Sequence, residues 1–455
     1  MQRSCQIAMA ALLAVLLAAP VTATAQVEGA TEDAEVGAAL SARREALFVA
    51  TLNDPTNLDI AFEYALLSAQ MGDFEAAIAT LERMLVFAPG LPRVQLELAA
   101  LYYRIGAPDT ARYYLDAVRA QDLPPDVRAR VERFAVAVAR DQRPWVLTGT
   151  VSGGLQVQSN ATAAPNDDVI IVRGIPVTLN DDARAAGDAN LFGLANVHFS
   201  HELPGQGDLL EVDFTSYGSK YFEQSRLDLG LVELAVGPSF SLGRVGLDRM
   251  RFGVYGIGAL VALDGNYYAG TYGLGLRLRT GLGERAWLDT RYELRAVNYE
   301  NSETYPTVRS RTGREHRIFN QVTALIGPQV TAAGAFEARY IDARVAFDSF
   351  WEFAFTGRAT YRFAGPTDGP LADDVPWSAS LAAGAVLRRF DGPDPFIDPA
   401  NAQEDDAFWV EAGLSVPLEQ DFSAFITGQY RVQTSNYPTR DFDNAILTVG
   451  VSKRF

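Results

Sequence analysis

Alternating apolar and polar positions dominate the chain from residue 145 onward. The clearest stretch is 351–363, where odd positions hold Trp, Phe, Tyr and small residues and even positions hold mainly Glu, Thr and Arg. Strand side chains alternate between two faces, so this stretch predicts a β-strand with one apolar and one polar face. Its aromatic residues stand near both ends of the apolar face, as in the aromatic girdles of membrane-spanning barrels.

Segments of this kind recur to the end of the chain, separated by turn residues. We predict fourteen strands, which begin near residues 145, 189, 208, 226, 249, 266, 285, 317, 335, 351, 376, 406, 421 and 442. An even number of antiparallel strands suits a bacterial outer-membrane barrel. A large soluble β-sandwich would alternate as well, but it would have a core-like Val, Ile and Leu face without aromatic rims.

The lengths of the predicted connections alternate too. If both ends of the barrel face the periplasm, the long connections 159–187, 299–316 and 391–404 lie outside. Tight turns, among them Ala332-Ala333-Gly334, then lie on the periplasmic side. The 365–375 connection falls on that side too, but it is longer than a periplasmic turn is expected to be. Long outer loops with short periplasmic turns are typical of outer-membrane barrels.

Residues 36–143 follow a helical period instead. Two segments match at a constant offset, with Ala65 corresponding to Ala99, Gly72 to Gly106, Ala77 to Ala111 and Leu81 to Leu115. This spacing predicts helix-turn-helix units of the tetratricopeptide type, although a helical bundle with a chance repeat remains an alternative. Such repeats offer a concave surface for a peptide or partner protein. Four tyrosines could line this surface or fill the core: Tyr102, Tyr103, Tyr113 and Tyr114.

The N-terminus carries the features of a secretory signal peptide. Arg3 precedes an apolar stretch at 7–21, and Ala23-Thr24-Ala25 forms a cleavage signal. Cleavage would remove Cys5, the single cysteine, and with it any disulfide or thiolate metal site. The predicted organisation is a signal peptide at 1–25, a flexible N-terminus at 26–35, a periplasmic tetratricopeptide-like helical domain at 36–143 and an outer-membrane β-barrel at 144–455.

Charge and motifs narrow the function classes. The formal net charge of −17 argues against a nucleic-acid partner. After the signal peptide no apolar run is long enough for a membrane-spanning helix, so only a barrel could cross a membrane. The fold class is therefore α plus membrane β, with about fourteen strands. His198 and His201 lie three positions apart and face opposite sides of a strand, so they do not predict a shared metal.

Enzyme motifs are not found. The sequence contains no G-x-S-x-G, P-loop or H-E-x-x-H pattern, so we expect no enzyme, no catalytic residue, no metal and no cofactor. An unrecognised serine site stays open as an alternative.

Charged residues on the polar strand faces are the candidate functional residues. We expect the following to point into the barrel lumen: Arg277, Arg279, Asp289, Arg291, Glu293, Arg295, Asp342, Arg344, Arg358 and Arg362. Two accounts remain open, namely structural pairing of these charges and a polar path for cargo. The last strand ends with Gly450 and Phe455, which we interpret as an assembly signal on the strand that closes the barrel against the first one.

The whole arrangement resembles the surface lipoprotein assembly modulator family, the translocators of type XI secretion. The resemblance is carried by Ala65, Gly72, Ala77, Ala99, Gly106, Ala111, Arg143-Pro144-Trp145, Ser159-Asn160 and Lys453-Arg454-Phe455. It implies delivery of specific lipoproteins or related secreted binding proteins from the periplasm to the cell surface. It also implies four kinds of partner: the client protein, periplasmic chaperones, the barrel assembly machinery, and outer-membrane lipid with lipopolysaccharide. Alternatives are an exopolysaccharide export barrel and a diffusion porin.

Overall fold

The computed structural model describes residues 28–141, 143–205, 207–365 and 375–455. The predicted signal peptide at 1–25 and most of the 365–375 connection lie outside these residues. The chain divides into two compact units, one ending at Arg143 and the other beginning at Pro144. Among the described helices, none combines the length and the apolar character needed to cross a membrane.

The N-terminal unit consists of helices joined by short turns. The helices are α1 Glu28–Asn53, α2 Leu58–Gln70, α3 Phe74–Phe87, α4 Pro92–Arg104, α5 Pro108–Arg119 and α6 Pro125–Asp141. The first helix begins at Glu28, within the stretch 26–35 that we expected to be flexible. Gly72 and Gly106 adopt φ values of +83° and +79°, which favour glycine and separate α2 from α3 and α4 from α5.

Side chains at the repeated positions form the core of this unit. Ala65, Ala77, Ala99 and Ala111 are at most 1% exposed, so small side chains let paired helices approach closely. Asp73 caps α3, because its Oδ1 accepts the backbone N–H of Ala76 at 3.2 Å.

Three of the four tyrosines pack against the core. The rings of Tyr102 and Tyr114 stack at 5.7 Å, and Tyr103 packs edge-on against Phe134. The hydroxyl of Tyr102 donates to the Glu82 carboxylate at 2.6 Å, and this bond raises the pKa of Tyr102 to about 12. Only Tyr113, which is 69% exposed, is free to meet a partner through most of its surface.

The C-terminal unit is a closed antiparallel barrel. The numbers β2 and β3 belong to a separate hairpin, which is described below. Its fourteen strands are β1 Trp145–Gln158, β4 Asp188–Glu202, β5 Leu209–Tyr221, β6 Leu229–Ser241, β7 Met250–Leu263, β8 Asn266–Gly281, β9 Ala286–Tyr299, β10 Gly313–Leu325, β11 Val330–Ala343, β12 Phe350–Phe363, β13 Trp377–Phe390, β14 Glu404–Pro417, β15 Phe422–Ser435 and β16 Phe442–Arg454. Each strand pairs with its neighbours in sequence, and β1 pairs with β16. The predicted fold class and strand number are confirmed.

A separate hairpin belongs to the connection between β1 and β4. Its strands are β2 Val169–Val172 and β3 Ile175–Thr178, which pair only with each other. We call the rim where β1 begins and β16 ends the terminal rim, and the opposite rim, which carries this hairpin, the loop rim. The three long connections that we expect outside, 159–187, 299–316 and 391–404, all lie at the loop rim, so they share one side of the barrel.

The predicted turn at Ala332-Ala333-Gly334 is wrong. These residues lie inside β11, and the turn is formed just before them by residues 326–329, where the Ile326 N–H donates to the Val330 carbonyl at 2.9 Å. Small residues are common both in turns and on tightly packed strand faces, so composition alone misplaced this turn by a few residues.

Candidate functional site: the polar interior of the barrel

The two faces of each barrel strand differ sharply in exposure and polarity. In β8, Leu274 and Leu276 point outward and are 67% and 44% exposed, whereas Arg277 points inward and is 7% exposed. The same division holds in β12, where Trp351 and Phe355 point outward and Glu352 points inward. The exterior is therefore an apolar band and the interior a polar wall, as expected of an outer-membrane barrel.

A first ionic cluster joins β5 to β8 and β9. The Arg277 guanidinium lies 2.9 Å from Asp213, and Arg279 lies 2.7 Å from Glu211. On β9, Asp289 accepts from Arg279 at 3.3 Å and from Arg291 at 2.7 Å. The long arginine side chains extend along the inner wall across β6 and β7, which separate β5 from β8.

A second ionic cluster centres on Glu293 of β9. This carboxylate lies 2.6 Å from Arg295 and 3.7 Å from Arg317 of β10, and it accepts the Tyr255 hydroxyl at 2.8 Å. Two further carboxylates complete the cluster, because Arg295 contacts Glu233 and Arg317 contacts Glu337, both at 2.7 Å. Glu293 is only 5% exposed, so its charge is neutralised by contacts with the wall itself.

A third ionic cluster links β11 to β14. Glu352 lies 2.7 Å from Arg339 and 3.0 Å from the Nε of Arg388, and Arg388 also approaches Asp405 at 3.7 Å. Next to this cluster, Arg358 pairs with Glu411 at 2.9 Å. Charged pairs therefore line the interior along a continuous arc of strands.

The strands that close the barrel carry a different inner surface. The inward side chains of β1 are uncharged, and β16 contributes only Arg454, at its end. Here Gln156 donates to the Thr448 hydroxyl at 3.2 Å. The interior therefore has a charged arc and an uncharged wall at the closing strand pair.

Most of the sequence-predicted lumen residues lie on inward faces. The clusters bring together Arg277, Arg279, Asp289, Arg291, Glu293 and Arg295, while Arg358 pairs with Glu411. Arg362 lies on the same face of β12 as Arg358 and Glu352, and it is exposed near the terminal rim.

Two of the predicted lumen residues require correction. Asp342 shares the face of Tyr340 and Phe336, which is the outer face of β11, opposite to Arg339. Arg344 lies beyond the end of β11, in the connection to β12. Both predictions assumed a strand that begins near residue 335, whereas β11 begins at Val330 and ends at Ala343. Because the period is two, a single position decides which face a side chain takes.

Several residues of the clusters escaped the sequence prediction. They are Glu211, Asp213, Glu233, Arg317, Glu337, Arg339, Glu352, Arg388, Asp405 and Glu411. Parity alone would have found Glu211, Asp213 and Glu352, which oppose apolar residues on clearly alternating strands. Asp405 lies just before the predicted strand start near residue 406, whereas β14 already begins at Glu404 and turns this carboxylate inward.

Glycines and the terminal phenylalanine shape the closing strand pair. Gly450 lies opposite Gly154, and a Cβ on Gly450 would stand 2.6 Å from the Gly153 carbonyl oxygen. Phe455 extends the ladder beyond β16, because its backbone exchanges hydrogen bonds of 2.9 and 3.1 Å with Gly149. Its ring covers Gly149, where a Cβ would come within 2.6 Å of the ring.

Histidine and acidic side chains are the possible metal ligands of the interior. Within the described ranges, no group of three or more His, Cys, Asp or Glu side chains could hold a metal ion. His198 lies 2.7 Å from Asp213 on the inner face, whereas His201 contacts its own strand through the Glu202 carbonyl. The two histidines therefore face opposite sides, as the sequence predicted.

Comparisons with known proteins match each unit separately. A tetratricopeptide-repeat family model matches residues 68–130. No curated protein matches the chain at a significant level.

Among solved structures, a bacterial polysaccharide outer-membrane secretin is similar with 10% identity over 68% of this chain and 98% of its own, at a TM-score of 0.35. A loop-deletion variant of OmpT, an outer-membrane protein of Vibrio cholerae, matches with 7% identity over 69% of this chain and 100% of its own, at a TM-score of 0.33. PcrH in complex with the chaperone-binding region of PopD matches with 15% identity over 27% of this chain and 99% of its own, at a TM-score of 0.22.

Proposed function

We propose that the chain is an outer-membrane translocator that delivers specific lipoproteins or related secreted binding proteins from the periplasm to the cell surface. The observation that carries the proposal is the union of a tetratricopeptide-repeat unit with a closed barrel whose interior is polar and ionically paired. In the proposal the helical unit lies in the periplasm, the terminal rim of the barrel opens to the periplasm, and the loop rim opens to the cell surface.

The paired charges suit a polypeptide cargo. A chain that passes through must exchange hydrogen bonds with the wall, and the paired arginines and carboxylates offer donors and acceptors of both signs. An acidic polysaccharide would favour a wall of unpaired cations, whereas the clustered arginines lie within salt-bridge distance of carboxylates. A diffusion porin would have no use for the helical unit.

The proposed function involves a client protein, periplasmic assembly factors and outer-membrane lipid, and it requires no catalytic step. The helical unit would hold or guide the client, and periplasmic chaperones and the barrel assembly machinery would deliver the client and insert the barrel. Lipid and lipopolysaccharide would surround the apolar band. Folding of the client outside would drive transfer, and no catalytic step or cofactor is assigned.

Comparison of surface-exposed proteins tests the proposal. Intact cells with and without this gene would be treated briefly with protease, and the released peptides would be identified. Loss of one or a few lipoproteins from the surface, with unchanged amounts in the whole cell, is the expected result. An unchanged set of surface proteins would overturn the proposal, and polysaccharide secretion and solute uptake would then be measured.

A further inference from the structure

The hairpin at the loop rim, residues 169–178, exposes apolar side chains on two paired strands. Val169 and Ile171 are 51% and 63% exposed, whereas Ile170 between them is 6% exposed. Arg173 and Gly174 form the turn with φ values of +53° and +77°, the pattern of a tight two-residue hairpin. The face of Val169 and Ile171 is therefore exposed and apolar. On the opposite face Ile170 is buried, whereas Ile175 and Val177 of β3 are 64% and 40% exposed.

The backbone hydrogen-bond pattern leaves one edge of this hairpin open. Val172 pairs with Ile175 beside the turn, and Leu179 donates to the Asp168 carbonyl at 2.8 Å, so even-numbered residues of β2 bond to β3. The N–H and C=O groups of Val169 and Ile171 must then point away from β3. No hydrogen bond links these groups to any part of the chain that the structure describes.

The opposite edge is blocked. Pro176 lies across from Ile171 and has no N–H to donate. Proline on an edge strand prevents pairing with a further strand. A strand that adds to this hairpin can therefore pair only along β2.

A cleft at the loop rim borders the hairpin. It has a volume of about 540 Å³ and is lined by Ile171, Arg173, Ile397, Asp398 and Tyr437, among others. The fully buried Tyr437 fixes this region, since its hydroxyl donates to the Asn401 carbonyl at 2.8 Å and accepts from the Asp394 N–H at 2.9 Å.

The surroundings of the cleft carry both signs of charge, because the Arg173 guanidinium acts on Asp398 and Arg184 lies 3.6 Å from Asp168. The Asn401 side-chain amide and the Ala400 N–H hold the pKa of Asp398 below its usual range, so this carboxylate is charged at neutral pH. Asp167 and Asp168 stand directly before β2. The three carboxylates and two guanidiniums carry a net charge of −1, so one basic residue beside the apolar part of a docking strand is complementary to this region.

We propose that the open edge of β2 binds an extended apolar segment of the exported polypeptide by strand addition, with a basic residue of that segment next to Asp398. This inference rests on the proposed function. Strand addition satisfies the free backbone groups of Val169 and Ile171 and covers their side chains in one step. Lipid tails would cover the side chains but leave those backbone groups without partners.

Peptide binding to the full chain tests the edge. The probe is a fluorescent nine-residue peptide of alternating Val and Thr with Lys at both ends, titrated against the protein in lipid nanodiscs. Ile171→Pro removes an N–H from the open edge, whereas Thr178→Pro removes one from the edge that is already blocked. We expect Ile171→Pro to weaken binding by about tenfold or more and Thr178→Pro to change it by less than about twofold.

Other outcomes overturn the inference. Equal affinities of both proline variants, or equal binding of a peptide methylated at alternate backbone nitrogens, would exclude strand addition. Binding of empty phosphatidylglycerol vesicles instead of the peptide would indicate a lipid surface. A dimer that Ile171→Pro dissociates, without peptide binding, would indicate a second copy of the chain. Heat-modifiable gel mobility of each variant verifies that the barrel has folded.

A cellular measurement separates this inference from the proposed function. If loss of the gene leaves the cell surface unchanged while the peptide still binds through β2, the proposed function fails and the docking edge stands. If loss of the gene depletes surface lipoproteins but Ile171→Pro and Thr178→Pro cells both deliver them normally, translocation stands and the docking edge has no part in it.

Discussion

Glu352 is the carboxylate that holds two arginines of the third cluster. Its side chain is 9% exposed, whereas Arg339 and Arg388 retain 28% and 27%. In Glu352→Ala both guanidiniums face each other without this carboxylate, so we expect the free energy of unfolding to fall by about 3 kcal/mol, the low end for a broken buried pair. Urea unfolding in lipid vesicles, followed by tryptophan fluorescence, measures the change.

Glu411 provides the matched control for Glu352. It also pairs with an arginine of the interior, but Arg358 is 42% exposed and solvent can replace the contact. Glu411→Ala should therefore lower the free energy of unfolding by less than about 1 kcal/mol. Equal losses in the two variants would show that burial of the interior charges does not determine their contribution.

At the scale of the element, closure depends on close backbone approach between β1 and β16. A Cβ on Gly450 would stand 2.6 Å from a backbone oxygen of β1, whereas a Cβ on Gly428 of β15 would have no atom within 4 Å. We expect Gly450→Ala to destabilise the barrel by about 1–3 kcal/mol and to reduce the heat-modifiable folded band in gels. Gly428→Ala should leave that band unchanged, and identical behaviour of the two variants would contradict this account of closure.

Barrel strands were predictable because each one carries its own alternation. The apolar and polar faces of β12 were evident from residues 351–363 alone, and the predicted starts of all fourteen strands lie within five positions of the observed ones. Register was not predictable, because it depends on pairing between strands that the sequence does not specify. Asp342 is a different kind of error, since it shares the parity of Phe336 and Tyr340 and the alternation of β11 alone puts it on their outer face.

The salt-bridge partners within the polar interior could not be predicted from the sequence, because they depend on which strands lie side by side. Arg277 and Asp213 lie far apart in the chain. They meet because the inner face of β6 carries small residues between them and the Arg277 guanidinium passes over the ring of Tyr255 on β7, 5.5 Å from its centroid. The open edge of the hairpin likewise depends on which residues of β2 bond to β3. In the helical unit, by contrast, the repeated alanines predicted the buried positions directly.

At the scale of the whole molecule, the barrel closes without any strand from the helical unit. Every barrel strand has two neighbours between Trp145 and Arg454, so deletion of residues 26–143 removes no pairing partner. We expect the truncated chain to insert and to show heat-modifiable mobility. We also expect it to leave surface lipoproteins undelivered in the protease assay, because the repeat unit is proposed to hold the client.

A full-length variant distinguishes unfolding of the helical unit from deletion of its residues. Leu98 is 0% exposed in the helical core, so Leu98→Asp buries an unpaired charge and should unfold that unit while the barrel stays intact. Tyr113→Ala, at a position 69% exposed, should keep the fold. If the helical unit guides the client, Leu98→Asp reproduces the delivery defect of the truncated chain. Tyr113→Ala weakens delivery only if the Tyr113 ring contacts the client. Normal delivery by both the truncated chain and Leu98→Asp would mean that the barrel alone selects and passes the client.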